Sequence, residues 1–114
     1  MSFQNQFTKT TTDANLMETV HHGSAEYPFR YYYENIALFD FKCIDWHWHS
    51  ELEFIYIESG NVVFDIGTVH FELNEGNGIM INSKILHRLQ SSSDAIIPNF
   101  LFQPSFIAPQ DSLI

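Results

Sequence analysis

The chain has 114 residues, of which 45% are hydrophobic and 16% aromatic, with a formal net charge of −9. That length accommodates one domain with one core, and five scattered Lys and Arg against fourteen Asp and Glu exclude a nucleic-acid surface built on neutralising phosphates. No apolar run reaches the about eighteen residues of a membrane span, and the start MSFQNQFTKTTTDANLME lacks the basic stretch and apolar stretch of a secretory signal. The lone Cys43 excludes an intrachain disulfide and reads as a small buried hydrophobe in a cytoplasmic protein.

Residues 1–24 are polar and read as a flexible arm, with one short ordered stretch at Ala14–Val20. From there the pattern becomes one of short strands. YPFRYYYENIALFDF supplies one or two, rich in aromatics. CIDWHWHS and LEFIYIE are two more, and NVVFDI and VHFELN flank Gly67-Thr68. A two-residue connection with Gly first is a hairpin signal, because Gly takes positive φ at no steric cost. NEGNG is a turn, GIMIN a strand, SKIL a loop, HRLQ a strand, SSSD a turn, and AIIPNFLFQP the last strand. About eight short strands and no sustained helical period predict an all-β sandwich or barrel over residues 25–104. Residues 105–114, ending FIAPQDSLI, read as the start of a linker in a chain that continues.

The chemistry concentrates in WHWHSELEFIYIESG, residues 46–60. Side chains at i and i+2 of a strand share a face, so His47 and His49 lean over one gap of about 6.7 Å. Glu53 has the same parity, and a bend near Ser50–Glu51 would return it on an adjacent strand. His87, opening HRLQ, is the natural fourth member. Three His and one Glu suit Fe, Mn, Ni or Zn rather than a thiolate-selective metal. The same residues also fit a strand carrying half-buried, hydrogen-bonded histidines. Trp46 and Trp48 fall on the opposite face, where they would pack against a second layer. His21, His22 and His70 lack ligand spacing, and Glu51 reads as a surface carboxylate. Inward positions facing the cluster include Phe64, Ile66, Met80 and Phe102, which core packing explains equally well.

The spacing of His47, His49, Glu53 and Gly60 resembles the first motif of the cupin superfamily. Gly76, Asn82 and His87 have the spacing of the second. Asn82 and Lys84 stand where that pattern often has Pro and Gly, and Ser91 where it often has Asn. The resemblance implies a double-stranded β-helix, or jelly-roll barrel. A narrower likeness runs from His22-Gly23 through YPFRYYY and HWHSELEFIYIESG to LNEGNGIMINSKILHRL. Over these segments the chain is similar to the N-terminal sensory domain of AraC-type transcription regulators.

That likeness implies a small polar effector in the barrel, bound by His22, His47, His49, Glu53, Phe64, Ile66, Met80, His87 and Phe102. It implies a homodimer, with DNA contacted through a C-terminal helix-turn-helix module that this chain lacks, and no membrane partner. The acidity then fits, because a sensor half makes no phosphate contacts. His22 and the arm before it become candidates for a moving part. A divalent metal (Zn, Ni, Fe or Mn) at His47, His49, Glu53 and His87 is the implied cofactor, and no catalytic residue beyond these ligands is implied. The alternative is a small metal-dependent cupin enzyme of dioxygenase or isomerase type.

Overall fold

Alternation of apolar and polar side chains builds eight strands in the computed structural model, which describes residues 9–20, 22 and 28–107. They are β1 (Phe29–Tyr32), β2 (Cys43–His47), β3 (Leu52–Tyr56), β4 (Asn61–Ile66), β5 (Val69–Asn74), β6 (Gly78–Ile81), β7 (His87–Gln90) and β8 (Asn99–Phe102). A single helical turn, α1 (Pro104–Ile107), follows β8. YPFRYYYENIALFDF supplies β1 alone; after it the chain turns through two 3₁₀ segments, Ile36–Leu38 and Asp40–Lys42. Asn35 caps the first by accepting a hydrogen bond from the Ala37 amide at 2.9 Å. None of the described helices is long and apolar enough to cross a membrane.

The pairing is nested. β4 pairs with β5, β3 with β6, β2 with β7 and β1 with β8, all antiparallel. This is one long ribbon with its tip at Gly67-Thr68, where Ile66 faces Val69 and Gly67 has φ +57° as the hairpin reading requires. Folding the ribbon across itself produces two four-stranded sheets, ordered β1-β8-β3-β6 and β2-β7-β4-β5. That order is the jelly roll expected from the sequence.

Ile55 and Ile81 from one sheet meet Val62, Phe64 and Leu89 from the other, joined by Ile36, Ile57, Ala95 and Ile97. All nine are essentially sealed from water, so the core fills one end and the middle of the barrel. The opposite end is left to polar side chains.

The described part of the arm is hydrogen-bonded to the barrel within the stretch Ala14–Val20. Trp48 lies just past β2, with backbone groups that no sheet neighbour satisfies. Its amide donates to the Leu16 carbonyl at 3.0 Å, its carbonyl accepts from the Glu18 amide at 2.8 Å, and its indole Nε1 donates to the Asn15 carbonyl at 3.0 Å. The buried end of a strand thus gains the partners it needs. The linker expected over residues 105–114 begins inside α1, and residues 108–114 lie outside the described residues, as does His21.

A four-residue centre of histidine and glutamate

β2 delivers His47 at its last residue, and a register irregularity between Ile44 and His47 sets His47 opposite His87 of β7. His49 sits two residues on. Glu53 comes from β3, which is not a neighbour of β2: the two strands belong to opposite sheets. The expected return on an adjacent strand is therefore corrected. The ligands meet across the barrel interior, where a bend at Ser50–Glu51 has carried the chain from one sheet to the other. One ligand atom from each of His47, His49, Glu53 and His87 lies within 4.8 Å of all the others, and all four residues are buried.

Hydrogen bonds to the backbone orient the rings. His47 Nδ1 lies 2.7 Å from the Asp45 carbonyl, His49 Nδ1 3.0 Å from that of Glu51, and His87 Nδ1 2.8 Å from that of Ile85. A carbonyl only accepts, so each Nδ1 carries its proton. In a neutral imidazole this leaves Nε2 as a lone pair. Three such lone pairs and a carboxylate then face one another, a set of acceptors that calls for a cation. Without one, the 3.1 Å approach of His49 Nε2 to Glu53 Oε1 requires a proton on that ring; His87 Nε2 lies 3.2 Å from the same oxygen.

The electrostatics follow from this geometry. Burial, reinforced by His87, pushes His47 down to about 4, so it stays neutral. Burial also disfavours charge on His49, but the hydrogen bond and charge of Glu53 outweigh it and lift His49 to about 9. Burial opposes ionisation of Glu53 too, yet hydrogen bonds from His49 and His87 hold it well below the usual carboxylate range. The donor set fits a divalent first-row metal: three pinned imidazoles, one ionised carboxylate and a backbone second shell.

Beside the cluster lies a cavity of about 40 Å³ open to the centre of a water molecule, room for an ion and two or three waters. Its wall includes His47, His49 and Glu53, and beyond them Glu18, His22, Tyr32, Glu34 and Asn99. His22 comes from the arm as expected. Its Nδ1 is 2.7 Å from the Tyr32 hydroxyl, and its Nε2 is hydrogen-bonded to the Glu18 carboxylate. Asn99 donates to Glu34 Oε1 at 2.8 Å. Sequence reasoning missed Glu18, Tyr32, Glu34 and Asn99. Only Asn99 carried a local signal, as a polar residue inside an apolar strand.

The four apolar positions expected to face the cluster divide. Phe64 and Ile66 point inward but belong to the core and take no part in the cavity wall. Met80 and Phe102 point outward, a correction to the expected inward set: Ile79 and Ile81 take the inner positions of β6, and Asn99 and Leu101 those of β8. Glu51 is likewise corrected. It is buried, with Oε2 accepting from the His22 amide at 3.4 Å, because the arm closes over it. Trp46 lies on the outer face as expected, under the Arg88 guanidinium at 4.8 Å. Lys84, where the cupin pattern often has Gly, adopts φ +62° and donates its amide to the His49 carbonyl at 2.7 Å. The position does require left-handed backbone, and here lysine supplies it.

A closed jelly roll holding three imidazoles and a carboxylate at one end defines a cupin. Solved structures agree on the fold. An RmlC-like cupin from Shewanella frigidimarina NCIMB 400 superposes with a TM-score of 0.60 at 15% identity, over 75% of this chain and 72% of that one. A cupin-2 domain containing protein from the same organism gives 0.58 at 13% identity, over 67% and 72%. The family model described as AraC-like ligand binding domain matches residues 32–108. The chain belongs to that family, the cupin-type sensory domains of AraC-type transcription regulators. Among curated proteins it is 33% identical over 101 residues to the "Uncharacterized HTH-type transcriptional regulator YdeC" of Bacillus subtilis (strain 168). That match takes in 87% of this chain but 35% of the relative's length.

Proposed function

We propose that this domain is the cytoplasmic sensing half of a transcription regulator, in which a small polar metabolite bound at the barrel mouth controls a helix-turn-helix module elsewhere in a homodimeric polypeptide. The observation that carries the reading is the shared wall: arm residues Glu18 and His22 line the same cavity as His47, His49 and Glu53. As it stands the space is too small for a metabolite, which normally takes a pocket of roughly 300 Å³ or more. Entry therefore displaces the arm, and any ligand that prefers the displaced state shifts the arm's equilibrium by its difference in affinity. A coupling of about 1–3 kcal/mol is enough for a usable switch. His47, His49, Glu53 and His87 would hold a Zn, Ni, Fe or Mn ion, which when bound supplies a Lewis-acidic point for a ligand oxygen. Phe39, Ile44, Leu89 and Leu101 supply the apolar part of the cavity wall, while Phe64 and Ile66 serve as core packing.

Trp48 reports the arm directly, since its indole donates to the Asn15 carbonyl. A panel of sugars and small organic acids is titrated into metal-free and Mn²⁺-loaded protein, with calorimetry and tryptophan emission read together. The expected result is a saturable change in emission with one-to-one stoichiometry, weakened in His22→Ala. Heat without any change in Trp48 would separate binding from arm movement and sink the switch. No response from the whole panel, loaded or not, would remove the sensor reading.

The enzyme reading draws on the same cluster, because an ion held by His47, His49, Glu53 and His87 would lie beside the cavity and could supply Lewis-acid or redox chemistry to a molecule bound there. Turnover of a bound panel member by metal-loaded protein, lost in Glu53→Gln, would favour it.

A further inference from the structure

Two of the four cluster residues bracket a single position. His47 is the last residue of β2, His49 follows two residues on, and Trp48 between them is where the arm docks. Met17 pairs with Trp48 in an isolated parallel bridge. The Trp48 amide donates to the Leu16 carbonyl at 3.0 Å, and the Glu18 amide donates to the Trp48 carbonyl at 2.8 Å. The strip that receives the arm thus lies between two cluster ligands. Glu51 adds a second link. Its Oε2 accepts from the His22 amide at 3.4 Å, and its carbonyl lies 3.0 Å from His49 Nδ1. The His22 and His49 rings meet edge to face with centroids 5.9 Å apart. The Glu18 carboxylate, hydrogen-bonded to His22, is close enough for its charge to act on both His47 and His49.

We infer that a divalent cation held by His47, His49, Glu53 and His87 is an effector in its own right, and that it acts by docking the arm onto Trp48. The inference rests on the proposed reading of the arm as the moving part, and adds a second ligand of opposite sign. An ion shared by His47 and His49 restricts the backbone between them, so the Trp48 amide and carbonyl meet the arm already in place. Its charge also attracts the Glu18 and Glu51 carboxylates that lie over the cluster, more strongly in a buried site than in water. Size points the same way. With the arm docked, the cavity of about 40 Å³ admits an ion and its waters but not a metabolite. The ion therefore favours the docked arm, a metabolite the displaced one, and each shifts the arm by its own preference. Linkage is reciprocal: the factor by which the ion favours docking is the factor by which docking tightens the ion.

Amide hydrogen exchange of the whole chain, metal-free and loaded with Zn²⁺, tests it. The docked arm protects the amides of Glu18 and Trp48, and both are expected to exchange at least about fivefold more slowly in the loaded protein. The Ile57 amide, which donates to the Asn77 carbonyl at 2.9 Å past the end of β3 away from Glu53, gauges overall stability and is expected to slow less. His47→Ala is expected to abolish the difference. Leu16→Pro tests the reverse direction. Leu16 has φ +66° and is 40% exposed, whereas proline fixes φ near about −65°, so the arm undocks with the cluster untouched. Zn²⁺ affinity, read by competition with a chromophoric chelator, is expected to fall by a similar factor, with circular dichroism reporting the barrel. Equal exchange with and without bound Zn²⁺ overturns the inference. So does a slowing that Ile57 shares in full, which is global stabilisation, or a folded Leu16→Pro with wild-type affinity. The exchange comparison needs no variant, so it decides even where Leu16→Pro does not fold. A chain that takes up no Zn²⁺ also overturns the inference, while the metabolite titration still stands as the separate test of the sensor.

Discussion

Gly60 closes the stretch that carries His47, His49 and Glu53, and its role is geometric. Its φ is +82°, and a Cβ built there would lie 2.6 Å from the Asp94 carbonyl oxygen and 3.0 Å from Ala95 Cα. Gly67 at the hairpin tip also has positive φ, +57°, but nothing lies within 4 Å of its missing Cβ. Alanine at 67 therefore costs only the left-handed conformation, about 1 kcal/mol. Alanine at 60 costs that and must also move backbone that cannot swing aside. The Ile96 amide donates to the Ser59 carbonyl at 3.1 Å and the Glu58 amide to the Ile96 carbonyl at 2.9 Å, with Ala95 and Ile97 sealed in the core on either side. Loss of both hydrogen bonds adds about 2 kcal/mol. The expected penalties are about 3 kcal/mol at Gly60 and about 1 at Gly67. In urea, with a slope of about 1.5 kcal/mol/M for a domain of this size, the two midpoints should differ by about 1.3 M. Equal midpoints would mean that the Asp94–Ala95 segment yields freely, and the close-approach reasoning would be wrong.

Elemental analysis of His47→Ala should show well under half an equivalent of metal, where the wild-type protein loaded with Mn²⁺ or Zn²⁺ holds close to one. Because Glu53 lifts His49 to about 9, the metal-free site holds a proton at neutral pH that the metal must displace. Apparent affinity should climb about tenfold from pH 7 to pH 8, with about one proton released per ion, and a flat profile in calorimetry would refute the paired-proton picture. The same proton competition deepens toward acid, where His47, pushed down to about 4, takes up a proton as well, so metal should be lost progressively as pH falls, and a full equivalent retained at pH 4.5 would count against three histidine ligands. Tyr32 is pushed up to about 12, mainly by burial and then by Glu18 and Glu34. The stability tied to its neutral form is complete below pH 10 and lost as pH rises toward 12, so Tyr32→Phe should flatten alkaline unfolding over that range. Lys84→Gly, relieving a left-handed lysine, should raise stability by about 0.5–1 kcal/mol in the same urea assay.

Much of the centre was legible before any coordinates, because strand parity is local. Residues two apart share a face, so His47 and His49 had to point together, and the turn at Gly67-Thr68 set the tip of the ribbon. Parity also separated Trp46 from the ligands. Where every residue in a run is apolar, parity carries no information. GIMI and NFLF can face the core on either phase, and pairing with β3 chose Ile79, Ile81 and Leu101 for the interior and left Met80, Phe100 and Phe102 outside.

What the amino-acid order determined by itself was the set of strands, their turns and the ligand types, since each depends on neighbours within a few residues. Only the wrapping of the ribbon into two sheets decided that Glu53 meets the histidines from across the barrel, that the arm buries Glu51 beneath His22, and that Glu18, Tyr32, Glu34 and Asn99 share one cavity wall. Those contacts join residues up to dozens of positions apart, and no local pattern encodes a separation that closes only when the core between the sheets is packed.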